Sequence, residues 1–130
     1  MGKNVITAIL LFVLTYVAVG MVLFIIQRNF LYFPTPAVHH NFDEIRFSND
    51  GESINVIVAN QGEEGAILYF GGNGESVAFS ALDLARIFPS HTVYLINYRG
   101  YGGSSGRPEE KGLYSDALTI FNEIKQYHST

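Results

Sequence analysis

The feature that most limits how this chain can fold lies at its N-terminus. From Val5 to Ile26 the sequence runs VITAILLFVLTYVAVGMVLFII, with no charge and only Thr7, Thr15 and Tyr16 as polar interruptions. As a helix rising about 1.5 Å per residue, the run spans roughly 33 Å, enough for a hydrocarbon core of about 30 Å. A helix buried in a soluble core normally keeps one polar face, and this one has none. A cleaved signal peptide would have a shorter apolar region and a small-x-small cleavage site, whereas here Gln27, Arg28 and Asn29 follow. The run therefore predicts a retained single-pass anchor in a lipid bilayer. Lys3 and the α-amino group precede it and Arg28 follows. This slight charge bias directs the globular part to the non-cytoplasmic side.

The 130 residues leave room for one modest domain after the anchor. Phe30, Tyr32 and Phe33 can line a membrane interface or pack beneath the domain. Pro34 and Pro36 stiffen the connector. The expected organisation is an anchor over residues 1–27, a connector over 28–40 and a domain over 41–130. The net charge of −4, with no basic stripe, argues against a nucleic-acid partner. The chain has no cysteine, which excludes disulfides, zinc–thiolate sites and thiol nucleophiles.

Within the domain, Phe42–Phe47 reads as a short extended segment and Ser48–Glu52 as a turn. In Ile54–Ala59, the residues Ile54, Val56 and Val58 alternate with Asn55, Ile57 and Ala59, a second strand completing a hairpin. Ala66–Phe70 is a continuous apolar run bounded by glycines, as expected of a strand buried on both faces. A helix is expected from about Ser76 to Ile87, with Val77, Ala81, Leu84 and Ala85 on its inner face. Thr92–Tyr98 reads as a buried strand, and Leu113–Tyr127 as a helix with an apolar stripe of Leu113, Ala117, Phe121 and Ile124. Strand–loop–helix repeated in this way predicts an α/β fold, with an antiparallel hairpin followed by parallel strands and crossover helices.

Ligands in such sheets sit beyond the carboxyl ends of the parallel strands. Two glycine-rich loops fall there. Gly71-Gly72-Asn73-Gly74-Glu75 joins a strand to a helix, where free amides favour negative charge, so a phosphate, a dinucleotide or an acyl-transfer oxyanion fits the pattern. A plain tight turn is the alternative. No Gly-Lys-Ser/Thr follows, and Val77 and Asn97 stand where a dinucleotide fingerprint needs a glycine and an acid. The second loop holds Gly102-Gly103-Ser104-Ser105-Gly106, a literal match to the Gly-x-Ser-x-Gly nucleophile pattern. A nucleophile elbow needs a strand running directly into it and a helix starting right after its serine. Arg99–Tyr101 and Arg107–Gly112 intervene instead, so Ser104 is expected to be a decoy.

Three segments, Leu68–Glu75, Asn97–Pro108 and Leu113–Ala117, resemble the α/β-hydrolase superfamily. With Arg28–Pro34 included, the likeness is to membrane-anchored serine hydrolases with an N-terminal helix. It covers nearly the whole chain, and Arg99-Gly100-Tyr101-Gly102 is its most specific motif. The resemblance implies that the first loop supplies half of an oxyanion hole, with Asn73 N–H as donor between Gly72 and Gly74. Gly71-Gly72 replaces the His-Gly of many relatives. Arg99 and Asp116 are expected to be structural, through loop hydrogen bonds and helix-start charge. The family's Ser, acid and His follow later in its fold than this region. His39, His40, His91 and His128 stand at surface or turn positions by the same reading. The resemblance therefore implies the N-terminal portion of a hydrolase of an ester, thioester or amide, without catalysis of its own, and with an apolar sheet edge left uncovered. A membrane-tethered binding module, or a piece completing a separate chain, is the alternative. No cofactor is implied.

Overall fold

The computed structural model describes residues 2–128, so Met1, Ser129 and Thr130 of the expected segments lie outside the described residues. The chain divides into two compact units, residues 1–33 and 34–130.

The first unit is one helix, α1 (Lys3–Leu31), which continues past the expected end at Ile26. No residue of it is buried. It is long and apolar enough to cross a membrane, with a mean hydropathy of 2.9. Two of its polar side chains turn back onto its own backbone. Thr7 Oγ1 donates to Lys3 O at 3.0 Å, and Gln27 Nε2 donates to Phe24 O at 2.9 Å. Internal pairing of this kind is what an apolar solvent demands of a polar group. Arg28 lies in the last turn, where the helix dipole favours a cation.

The second unit is a four-stranded sheet in the order β1-β2-β4-β3. β1 (Asp43–Asn49) and β2 (Glu52–Ala59) form the expected hairpin, with Ile45 opposite Val56. β2 runs antiparallel to β4 (His91–Ile96), with Ile57 opposite Leu95. β3 (Gly65–Phe70) runs parallel to β4, with Leu68 opposite Tyr94. Helices α2 (Ala81–Ile87) and α3 (Glu110–Tyr127) follow β3 and β4.

β2 is a central strand with core on both faces. Ile54, Val56 and Val58 pack with Tyr94, Ile96, Ile120 and Ile124, on the side of α3. Ile57 and Ala59 pack with Val77, Ala81, Val93 and Leu95, on the side of α2. Both layers follow from the period of two along a strand. Each fully buried aliphatic side chain here contributes about 1.5–3 kcal/mol relative to exposure. β3 is less buried than its sequence pattern predicts. Its apolar run reads as buried on both faces, yet Gly65–Tyr69 are only partly buried and Phe70 is exposed. β3 pairs with β4 along one side only, so it is an edge strand of this sheet.

Two helices also differ in detail. The expected helix over 76–87 is split into a 3-10 turn at Val77–Phe79 and α2, with Ser80 between them. Ser80 N bonds to Val77 O, three residues back, while its hydroxyl is drawn to Glu75. In α3 the inner face runs through Gly112, Asp116, Ile120 and Ile124, and Phe121 is exposed. The stripe is rotated because a charged residue, Asp116, is pulled inward by a partner that apolar periodicity does not register.

Candidate functional site

Asp116 turns inward to meet Arg99, from the loop after β4. Arg99 Nε donates to Asp116 Oδ2 at 2.7 Å and its Nη2 donates to Oδ1 at 2.6 Å. Both residues are buried. Asn49 Nδ2 adds a bond to Asp116 Oδ1 at 2.8 Å. Hydrogen bonding to Asp116 raises the Arg99 pKa, against desolvation that lowers it, so the guanidinium stays charged. Gly112 leaves the room: a Cβ there would stand 2.5–2.7 Å from guanidinium atoms of Arg99. The expected separate roles of Arg99 and Asp116 thus merge into one buried ion pair that fixes the loop's root to α3.

The rest of this loop is stitched to β2. Ser104 Oγ accepts from Asn55 N at 2.8 Å and donates to Asn97 O at 2.9 Å. Asn55 Nδ2 donates to Gly102 O at 3.0 Å. Ser53 N donates to Ser105 Oγ at 2.8 Å, and Ser105 Oγ donates to the Glu52 carboxylate. Gly102 has φ +50°, and a Cβ on it would collide with the Asn97 amide at 1.8 Å. Only glycine fits there. The loop contains no helix immediately after Ser104, since α3 begins at Glu110.

The first glycine loop lies beyond the carboxyl end of β3. Gly72–Glu75 is a turn closed by Glu75 N donating to Gly72 O at 3.1 Å, with Gly74 at φ +80°. The Glu75 side chain folds back and takes Gly72 N–H at 2.7 Å. It also accepts from Tyr69 Oη at 2.9 Å and from Ser80 Oγ at 2.7 Å. Burial pushes the Glu75 carboxyl up, but the donors Gly72 N–H, Ser80 and Tyr69 together outweigh it and hold it low. The backbone donor of Gly72, next to the expected donor Asn73, is therefore engaged by a side chain of the chain itself. The sequence reading missed Glu75 as a ligand of the loop; its spacing of three from Gly72 at a turn was the available signal.

Two tyrosines join the loops. Tyr98 Oη donates to Gly71 O at 2.9 Å, and Tyr101 Oη donates to Asn73 Oδ1 at 2.9 Å. Burial, followed by the Glu75 charge and neighbouring tyrosines, raises the Tyr98 pKa and keeps it a donor. Gly102 N donates to Thr35 O at 2.9 Å, which ties the segment after Pro34 into the same corner. A concavity of about 510 Å³ opens here, bordered by Thr35, Pro36, Val38, Gly74, Phe79 and Ser80 among others. A larger one, about 970 Å³, lies by the Gln61–Glu64 turn, Tyr94 and His128. That turn leads into β3, at the end of the parallel strands opposite the glycine loops, so the smaller concavity has the better position for chemistry.

The histidines are dispersed. His39 is exposed, and His40 Nε2 stands 3.0 Å from Glu44 Oε1. His91 opens β4, with its ring edge-on to Phe88. His128 contacts Tyr94 Oη at 2.8 Å and Glu64 O at 2.9 Å. The bonds of Ser104 go to backbone groups of β2 and of the β4 end, and those of His128 go to the opposite end of the sheet.

No family model matches the chain. The protein bem46 of Schizosaccharomyces pombe is 38% identical over 64 residues, covering 47% of this chain and 21% of bem46. The lysophosphatidylserine lipase ABHD12 of Danio rerio is 38% identical over 69 residues, covering 51% of this chain and 18% of the lipase. An α/β hydrolase from Vibrio vulnificus has a TM-score of 0.55 and 27% identity, over 64% of this chain and 29% of that structure. The chain thus spans less than a third of each of these proteins. Together with the sheet order, these likenesses identify the chain as carrying part of an α/β-hydrolase fold, headed by an apolar helix.

Proposed function

We propose that this chain supplies the membrane anchor and the N-terminal, oxyanion-hole side of a serine-hydrolase site. In this reading α1 spans the bilayer once, with the α/β unit on the non-cytoplasmic face. Asn73 N–H, in the loop Gly72-Asn73-Gly74, is the oxyanion donor by its position in the hydrolase resemblance, while Gly72 N–H is held by Glu75. The nucleophile, acid and histidine come from later parts of the hydrolase fold, and the residues up to Thr130 are inactive by themselves. Ser104 is a staple of the loop and not a nucleophile. Its proton goes to Asn97 O, and no helix begins behind it to supply the strained turn of an elbow.

The observation that carries this reading is the placement of both glycine loops at the carboxyl end of β3 and β4, in a sheet whose fold resembles an α/β hydrolase. An oxyanion donor aimed in advance stabilises charge that develops only in the transition state, typically by about 2.7–4 kcal/mol. The substrate is an acyl ester, thioester or amide. A lipid ester leads that group, given the apolar anchor and the likeness to a lysophosphatidylserine lipase.

A fluorophosphonate probe applied to the protein in its own membranes tests this. The expected result is labelling on a serine other than Ser104, unchanged in Ser104→Ala. Labelling that disappears in Ser104→Ala would overturn the assignment. No labelling of any polypeptide containing or bound to this chain would leave a tethered binding module in its place.

A further inference from the structure

We infer that Tyr98 and Tyr101 are positioning residues that hold the Gly71–Gly74 loop in a donor-ready shape, so that the second glycine loop serves the first. The catalytic meaning of this rests on the oxyanion-hole reading above; the geometry does not.

The two hydroxyls grip the loop on either side of the Gly72–Asn73 peptide. Tyr98 Oη holds the carbonyl of Gly71, and Tyr101 Oη holds the side chain of Asn73. Their spacing is fixed by a turn in which Tyr101 N donates to Tyr98 O at 2.8 Å. Their rings meet edge to face at 5.8 Å, and the Tyr98 ring stacks on Phe70 at 6.2 Å, at the end of β3. The base of this clamp is firm. Tyr101 is 3% exposed, and its neighbour Arg99 is locked to Asp116.

A loop with three glycines among four residues has large backbone freedom in isolation. An oxyanion donor is effective only when it is aimed before charge develops, with no reorganisation left to do. Something outside the loop must remove that freedom. Tyrosine suits the task, because a stiff ring on two torsions carries a hydroxyl to a fixed point. Glu75 fixes the loop from within and the two tyrosines fix it from without. Between them they restrain Gly71 O, Gly72 N–H and the Asn73 side chain.

The test compares Tyr98→Phe and Tyr101→Phe, each lacking one oxygen, by amide-resolved hydrogen exchange on the full chain in detergent micelles. The Gly72 and Asn73 amides should exchange about 3- to 10-fold faster, the size set by one neutral hydrogen bond. Val56 and Leu95 amides should be unchanged. Tyr94→Phe, which loses a hydroxyl on His128, should leave the loop as it is. In the membrane-extracted protein, Tyr101→Phe should slow the maximal rate of fluorophosphonate labelling without changing the half-saturating probe concentration. Unchanged exchange at Gly72 and Asn73 in both variants would overturn the inference. So would loss of protection spread through β2 and β4, which would mean a general structural role. Faster loop exchange with normal labelling, or with none, would sustain the positioning role and remove the oxyanion-hole reading instead.

Discussion

Arg99 and Asp116 form a two-point ion pair in the interior, with donor–acceptor distances of 2.7 and 2.6 Å. It joins the loop after β4 to the first turns of α3, and Asn49 at the end of β1 completes the carboxylate's bonding. Three elements far apart in sequence therefore meet at one carboxyl group. Tyr98 and Tyr101, which bond to the neighbouring glycine loop, flank Arg99 in the same segment.

Removing one partner should be costly. Arg99→Ala leaves a buried carboxylate without its counter-charge, and denaturant unfolding of the full chain in detergent should register a loss of about 3–5 kcal/mol. Asp116→Asn keeps an acceptor for the guanidinium and should lose less. Equal, small losses in both variants would show that the pair is not a structural root.

Gly112→Ala should destabilise even though alanine is the better helix former by about 1 kcal/mol. The added methyl would stand 2.5–2.7 Å from a guanidinium that Asp116 prevents from moving aside. Overpacking of this kind costs about 1–3 kcal/mol, and thermal unfolding should detect it. A stabilised Gly112→Ala chain would mean that Arg99 relocates freely.

Glu75 should make the loop sensitive to acid. Its folded pKa lies below the ordinary carboxylate value, because the Gly72, Ser80 and Tyr69 donors outweigh the opposing effect of burial. Such a group contributes stability above its unfolded pKa, and that contribution vanishes as pH falls through the folded value. Exchange at the Gly72 amide, corrected for intrinsic chemistry, should therefore accelerate only on the acid side of the ordinary carboxylate range. Glu75→Gln should flatten the profile. An acid-induced step that persists in Glu75→Gln would assign it to another group.

Ser104→Ala should cost stability while sparing any labelling by a serine-directed probe. The substitution strands Asn55 N and Asn97 O, which the hydroxyl now serves. A lost buried partner of this type costs about 1–3 kcal/mol. Chemical denaturation measures it, and Ser104→Thr, which keeps a hydroxyl, should recover part of the loss.

The sequence by itself determined the apolar helix, the hairpin, the two glycine loops and the α/β class. Each of these is a local pattern: an unbroken apolar run, a period of two, or glycines between a strand and a helix. It also placed Ser104 on a loop well ahead of the next helix, because that expectation needs only a distance along the chain. Tertiary structure alone decided which strands are central. β2 and β3 carry similar apolar residues, but β2 lies between two partners and is buried, whereas β3 has one partner and is only partly buried despite its continuous apolar run. It also decided that α3 turns Asp116 inward and leaves Phe121 outside, because a buried guanidinium 17 residues away outranks apolar periodicity. The tyrosine bonds to the glycine loop, across 27 and 28 residues, were illegible for the same reason. A hydrogen bond between distant segments leaves no period in the sequence; it exists only once the sheet has brought the ends of β3 and β4 together.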